Sequence, residues 1–295
     1  MIVAIAAGLF FALRNTLNKY VISNRMRPVS WYYLYMILGL IAFPIISWLI
    51  SPPVLPSASS MLLITISAAA AFVGSLIFIY ALESGDVTTA MPILSTRPMF
   101  VLILSFVFLQ EFYGFGLVLW VLMIVVGAVL ASFSESVGLK KILRSRNLGV
   151  FLFVTILYSI MGIASKPVLQ EITSYNYLGW WNLVQIPMLL VFTPFVFKKT
   201  EKEDFKKNWK KTMPYAIVEI AFLYLSTVAM FYSIKFSASL TESLAATQGM
   251  FTVVIGFVLS FVNPKLLAEK HTKKIYLLRL VGALLILIGV YKILV

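Results

Sequence analysis

The chain has 295 residues, 61% of them hydrophobic and only 12% charged, with a mean hydropathy of +0.97. A soluble domain is nearer half apolar and a quarter charged, so this composition excludes one and points to an integral membrane protein. Cysteine is absent and His271 is the only histidine, which argues against disulfides, a Cys-ligated metal or a His-built metal site. The net charge of +13 reads as basic loops kept on the cytoplasmic side, with no nucleic-acid partner implied.

Apolar runs of about 20 residues are long enough to span a bilayer as helices. Ten such runs occur: 2–22, 31–50, 60–82, 88–109, 115–134, 148–169, 176–197, 213–234, 239–262 and 274–294. They are continuous rather than alternating, so transmembrane strands are not expected. The first run follows Met1 with no basic n-region or small-residue cleavage site, and reads as a spanning helix rather than a signal peptide. The connections are short. The longest, 135–147 and 198–212, are polar and basic, and Ser51-Pro52-Pro53 to Pro56 forms a rigid uncharged turn.

Within the fourth run, Thr96-Arg97-Pro98-Met99-Phe100 places an arginine at a cost of ~2.5–3.5 kcal/mol on insertion scales. Pro98 removes a backbone donor beside it. The stretch returns as Thr247-Gln248-Gly249-Met250-Phe251 in the ninth run, so Pro98 and Gly249 are the expected helix breaks. Other matches keep the same order: Tyr80-Ala81-Leu82 with Tyr232-Ser233-Ile234, Trp31 and Pro44 with Trp181 and Pro194, and Lys19-Tyr20-Val21 with Lys166-Pro167-Val168. The expected fold is therefore an all-α integral membrane protein with ten transmembrane helices in two five-helix repeats, 1–140 and 141–295. An odd number of spans per repeat makes the halves inverted.

Loop charge agrees. Connections after odd-numbered spans carry Arg25 and Arg27, then none, then Lys140, Lys141, Arg144 and Arg146, then Lys198, Lys199, Lys202, Lys206, Lys207, Lys210 and Lys211, then Lys265, Lys270, Lys273 and Lys274. The opposite side carries Lys235 and Lys292. The positive-inside rule then puts both termini outside a cell (inner) membrane.

The run Tyr80-Ala81-Leu82, Ala90, Pro92, Pro98, Phe100 and Leu109-Gln110-Glu111 resembles the span-three-to-five segment of the EamA type of the drug/metabolite transporter superfamily. The turn here reads Gln110-Glu111-Phe112, without the glycine and arginine of that family's Gly-Glu-Arg-like turn. The second copy departs further, with Asn263-Pro264-Lys265 at the turn. The resemblance implies ten helices in inverted repeats and alternating access. It also implies a central cavity lined mainly by spans one, three, four, six, eight and nine. It selects no substrate, because the family handles amino acids, sugars, nucleotide sugars, phosphorylated metabolites and drugs.

Counted along their helices, Arg14, Arg97 and Glu219 lie about eight, nine and six residues from the inner ends of their spans, at similar depth. The expectation is one cluster in which Glu219 neutralises one arginine and the other is left for an anionic substrate group. A structural role is the rival: an arginine bonded to the carbonyl freed by Pro98 or Pro92. Glu219 reads either as a proton-coupling group or as a permanent counter-charge. Glu242 reads as interfacial, and Glu83, Asp86, Glu111 and Glu171 as loop or helix-end acids, most of them solvated. Arg14, Asn15, Asn18 and Lys19 form a polar stripe on the first helix. Thr247 and Gln248 occupy the echo site, and Tyr158 and Tyr224 could add stacking or hydroxyl contacts. Lys19 with Lys166, and Trp31 with Trp181, are gate candidates because they recur in both halves. Tyr32, Tyr33 and Trp180 read as an interfacial belt. Spans five and ten are expected at the periphery, with Gly127-Ala128 and Gly282-Ala283 permitting close helix contact in a monomer or a homodimer.

The function expected is secondary-active transport of a small metabolite (an amino acid or other small organic, with an anion as one option) without a cofactor. A flippase of a phosphate-bearing lipid is the alternative. An intramembrane enzyme fits less well, because the serines and threonines lack a histidine partner and no metal cluster or aspartate pair is present.

Overall fold

The computed structural model describes residues 1–83, 87–132, 148–262 and 273–294. Within them the chain is all helix and coil. The helices are α1 (Ile2–Asn24), α2 (Pro28–Ile50), α3 (Ala58–Glu83), α4 (Val87–Leu94), α5 (Arg97–Leu109), α6 (Phe115–Ala131), α7 (Leu148–Glu171), α8 (Ser174–Val196), α9 (Lys199–Ile234), α10 (Ala238–Ala245), α11 (Gln248–Val262) and α12 (Lys273–Leu294). Asp86, the basic segment with Lys140, Lys141, Arg144 and Arg146, and the Asn263-Pro264-Lys265 turn with Lys270 and His271 lie outside the described residues, as do the side chains of Glu83, Lys273 and Lys274.

Counting α4 with α5 and α10 with α11 as one broken span each gives ten. Eight spans are long and apolar enough to cross a bilayer by length and composition. Helix α1 has the length, with 23 residues, but its polar stripe lowers its hydropathy; α6 is apolar and 17 residues long.

Helix packing repeats across the two halves. With α1–α6 matched in order to α7–α12, the contact of α1 with α9 has its counterpart in α7 with α3. In the same way α1 with α11 answers to α7 with α5, and α2 with α9 to α8 with α3. Helices α2 and α8 pack on each other, and so do α6 and α12. This is the contact symmetry of two inverted five-helix repeats. The large core is built around Trp31, Tyr33, Phe43, Phe72, Tyr177 and Phe231, where α2, α3, α8 and α9 meet.

The two breaks share one local chemistry. The Thr96 hydroxyl donates to Ile93 O at 2.6 Å, and the Thr247 hydroxyl to Leu244 O at 2.7 Å. Each hydroxyl takes the carbonyl three residues back and helps end the helical ladder there. Pro98 and Gly249, expected to mark the breaks, instead sit second in the following helix, where a missing N–H or low propensity does little harm. The second break is also wedged: a Cβ on Gly8 of α1 would collide with Thr247 Oγ1 and lie 3.0 Å from Ala245 O.

Residues 198–212, expected as a connection, are almost wholly helical. Helix α9 runs 36 residues, or about 54 Å, well beyond the ~30 Å hydrocarbon core. The segment is amphipathic: Lys202, Lys206 and Lys210 are exposed, while Phe205 and Trp209 pack on the core and Glu201 and Thr212 are buried. At the end of α5, Gln110 adopts φ 53° and ψ 33°, a left-handed conformation that glycine takes more readily. That is the first position of the turn where the resembled family carries glycine.

Helices α6 and α12 touch backbone to backbone within the monomer. A Cβ on Gly127 would lie 2.7 Å from Gly282 O, and one on Gly282 would lie 2.5 Å from Gly127 O. Gly282→Val is expected to cost about 1–3 kcal/mol through overpacking. Gly249→Ala, whose Cβ would meet its nearest neighbour at 3.6 Å, should be near neutral. Thermal unfolding of the purified variants in detergent checks both; equal melting temperatures would contradict the close crossing.

Candidate functional site

An arginine buried among apolar helices needs a counter-charge, because removal from water costs several kcal/mol per ion. Arg14 and Arg97, the two arginines inside spans of the first half, each find a counter-charge in the second. Arg14 Nε donates to Glu219 Oε1 at 2.6 Å, and Asn18 Nδ2 donates to the same oxygen at 3.1 Å. The Asn18 carbonyl oxygen accepts Trp31 Nε1 at 2.6 Å. Arg14 also lies over the Tyr35 ring, 5.6 Å from its centroid, with Nη2 3.5 Å from the phenol oxygen. Asn18 and Arg14 share a helical face by their four-residue spacing, so one glutamate can receive both.

Arg97 does not join this cluster and is not left unpaired. Its Nη2 donates to Glu242 Oε1 at 2.5 Å, with its guanidinium 5.6 Å from the Tyr158 ring centroid. Glu242, expected at the interface, is 4% exposed. It lies in the eight-residue first part of the broken ninth span, which packs against α1, α5 and α9. The Tyr158 hydroxyl is 3.2 Å from Ser75 Oγ, so the ring is anchored between α3 and α7. The Arg14 and Arg97 side chains retain 20% and 19% of their surface. Among the described residues, Arg97 Nε and Glu219 Oε2 are buried without a hydrogen-bond partner.

The other expected residues fall in three groups. Gln248 begins α11 as Arg97 begins α5, and Asn15 and Gln248 are half-buried with no side-chain hydrogen bond among the described residues. Thr247 is consumed by the helix break, and Tyr224 is a core residue against Phe43, with its hydroxyl 3.3 Å from Ser47 Oγ. Lys19 is half-buried. Lys166 forms an ion pair with Glu111, whose other oxygen receives the Tyr113 hydroxyl, so Glu111 is not the solvated acid expected. Glu171 is an exposed helix-end acid as expected, and it also accepts Ser57 N at 2.7 Å and Ser57 Oγ at 2.9 Å at the start of α3. The tryptophans and tyrosines of α2 do not form a belt; Trp31, Tyr32 and Tyr33 are buried.

Sequence reasoning missed a second polar cluster. Ser67 Oγ lies 3.1 Å from Ser165 Oγ, the Tyr177 hydroxyl lies 2.7 Å from Ser67 Oγ, and Trp181 Nε1 donates to Ser67 Oγ at 3.2 Å. This is the inverted counterpart of the Arg14 network. Ser67 and Glu219 share the 152-residue separation of Tyr80 and Tyr232, while Asn18 and Ser165 share the 147 of Lys19 and Lys166. Trp31 answers to Trp181. The repeat matches, applied to Glu219 and Asn18, would have found it. Arg14 answers to Met161, so the second cluster is neutral.

Residues 1–133 match the EamA-like transporter family and are homologous to it. No curated protein matches the chain. A crystal structure described only as that of a protein superposes with a TM-score of 0.69, covering 99% of this chain and 95% of its own at 14% identity, which shows a shared fold. Among the described residues, no group of three or more His, Cys, Asp or Glu side chains could hold a metal.

Truncating one member of the Arg14–Glu219 pair strands the other in an apolar interior. Arg14→Gln or Glu219→Ala is expected to cost about 3–5 kcal/mol, and a double Arg14→Gln/Glu219→Gln variant distinctly less than the sum of its singles. A double-mutant cycle on unfolding in detergent measures this; additive losses would contradict the pairing.

Proposed function

We propose, from the homology of residues 1–133 to the EamA-like transporter family, that this chain is a secondary transporter. It moves a small organic metabolite across the cell membrane by alternating access, through the interior beside Arg14, Asn18, Arg97 and Tyr158. The observation that carries this reading is the pair of buried inter-half salt bridges whose arginines keep about a fifth of their surface open. A group that binds substrate needs such access, and water there also lowers the cost of keeping the pair inside the bundle.

The two pairs take different roles in this reading. Glu219 receives two donors, Arg14 and Asn18, and acts as a fixed counter-charge. The Arg97–Glu242 bond is the exchangeable one: it is a single contact through Nη2, and a substrate carboxylate or phosphate oxygen takes Arg97 in place of Glu242. Glu242, once released, is then the group that can carry a proton, so proton coupling is assigned to it rather than to Glu219. Gln248 and Asn15 supply neutral contacts to the same substrate. Lys166 with Glu111 latches the opposite end of the bundle, which supports its gate role. The Gly127–Gly282 contact is used inside one chain, which supports a monomer as the transport unit. The lysines of residues 198–211 support a cytoplasmic placement for that end, with both termini outside.

Counterflow of labelled metabolites in proteoliposomes tests this. Arg97→Gln is expected to weaken apparent affinity about ten- to a hundredfold, the worth of a charge-assisted hydrogen bond. Unchanged affinity in a normally folded variant would refute the binding role of Arg97. Exchange of no soluble metabolite would favour the lipid-flippase alternative.

A further inference from the structure

A crevice of about 460 Å³ opens sideways between one set of ends of α3, α7 and α8, lined by neither Arg14 nor Arg97. Its walls include Val73, Leu76, Ile77, Val150, Phe192 and Val196. Tyr80 also lines it, but its hydroxyl donates to Val196 O at 3.2 Å, so the surface offered is hydrocarbon. From Val73 to Ala81 the crevice follows α3 for about 12 Å. Val150 and Phe192 are exposed, as are Leu190, Val191 and Phe195 on the same helix, which places the opening on the lipid-facing side of the bundle.

The upper end of the crevice is charged. The chain leaves its wall at Val196 and reaches Lys198 and Lys199 within one turn, both exposed. Lys198 is the N-cap of α9, with no side-chain oxygen bonded to the first amides of that helix. A helix start of this kind, flanked by two ammonium groups, suits a phosphate oxygen. An apolar slot at hydrocarbon depth and a cationic mouth at its end match the two parts of one molecule.

We infer that this crevice is a binding site for an anionic phospholipid. One acyl chain lies between α3, α7 and α8, and the phosphate is held by Lys198, Lys199 and the first amides of α9. The site does not depend on what the interior transports. Because its walls come from both halves, with α3 from the first and α7 and α8 from the second, a lipid seated there touches both repeats.

The full-length protein in detergent can be titrated with dioleoyl phosphatidylglycerol, dioleoyl phosphatidylcholine, oleate and glycerol phosphate, with bound lipid read by native mass spectrometry. Phosphatidylglycerol is expected to bind at least tenfold more tightly than phosphatidylcholine. A Lys198→Gln/Lys199→Gln variant should lose about 25-fold in phosphatidylglycerol affinity, at roughly fivefold per lysine, and little for phosphatidylcholine. Ile77→Trp, which fills the slot, should weaken both lipids, and Lys206→Gln/Lys207→Gln should change neither; lipid-free melting temperatures report folding. Several outcomes would overturn the site: equal binding of the two phospholipids, an unaffected Lys198/Lys199 variant, or an equal loss in the Lys206/Lys207 variant. Oleate or glycerol phosphate binding as well as phosphatidylglycerol would overturn it too.

Discussion

A guanidinium in hydrocarbon must be paired, and that requirement organises this protein. The two arginines deep in the first half, Arg14 and Arg97, are each neutralised by a glutamate of the second, Glu219 and Glu242. Neither half could keep its charges inside a membrane without the other. The remaining ion pairs described here, Arg27 with Glu201 and Lys166 with Glu111, also join the halves, nearer the ends of the bundle. Polar bonds therefore help hold the repeats in register, beside close packing such as the Gly127–Gly282 crossing.

The inverted repeat explains why these bonds occur where they do, and also why they are unequal. The same topology produces two polar loci, one on α1, α2 and α9 and the other on α7, α8 and α3. The first holds Arg14, Asn18, Trp31 and Glu219; the second holds Ser165, Trp181 and Ser67, completed by Tyr177. One is held by an ion pair and the other by neutral hydroxyls. If alternating access opens one locus while the other stays closed, the two directions of opening break bonds of different strength and different salt dependence.

Much of the architecture was legible in the sequence. Ten apolar runs, their short connections and the ordered matches between halves correspond to the helices and their contacts. That Glu219 neutralises a buried arginine was legible too, because hydrocarbon leaves few alternatives, but not that Arg14 rather than Arg97 is the one it takes. The Glu242 pairing was not: a residue count gives a position along the span, and which face of the short α10 packs against α5 is set by tertiary contact. The first turns of α9 were hidden for a different reason. Their lysines suggest a loop by composition, while the inward face of buried Glu201 and Thr212 and half-buried Phe205 and Trp209 is visible only beside α2 and the end of α8. The partner of Glu111 was hidden because Lys166 lies far away in sequence.

Both glutamates must be ionised for this account to hold. Isotope-edited infrared difference spectra of the substrate-free protein against Glu219→Gln and Glu242→Gln test this most directly. Loss of a carboxylate stretching band in each variant, with no loss of a protonated carbonyl band, is the predicted result. A protonated carboxyl at either position in the substrate-free state would contradict the claim that paired charges hold the two halves together.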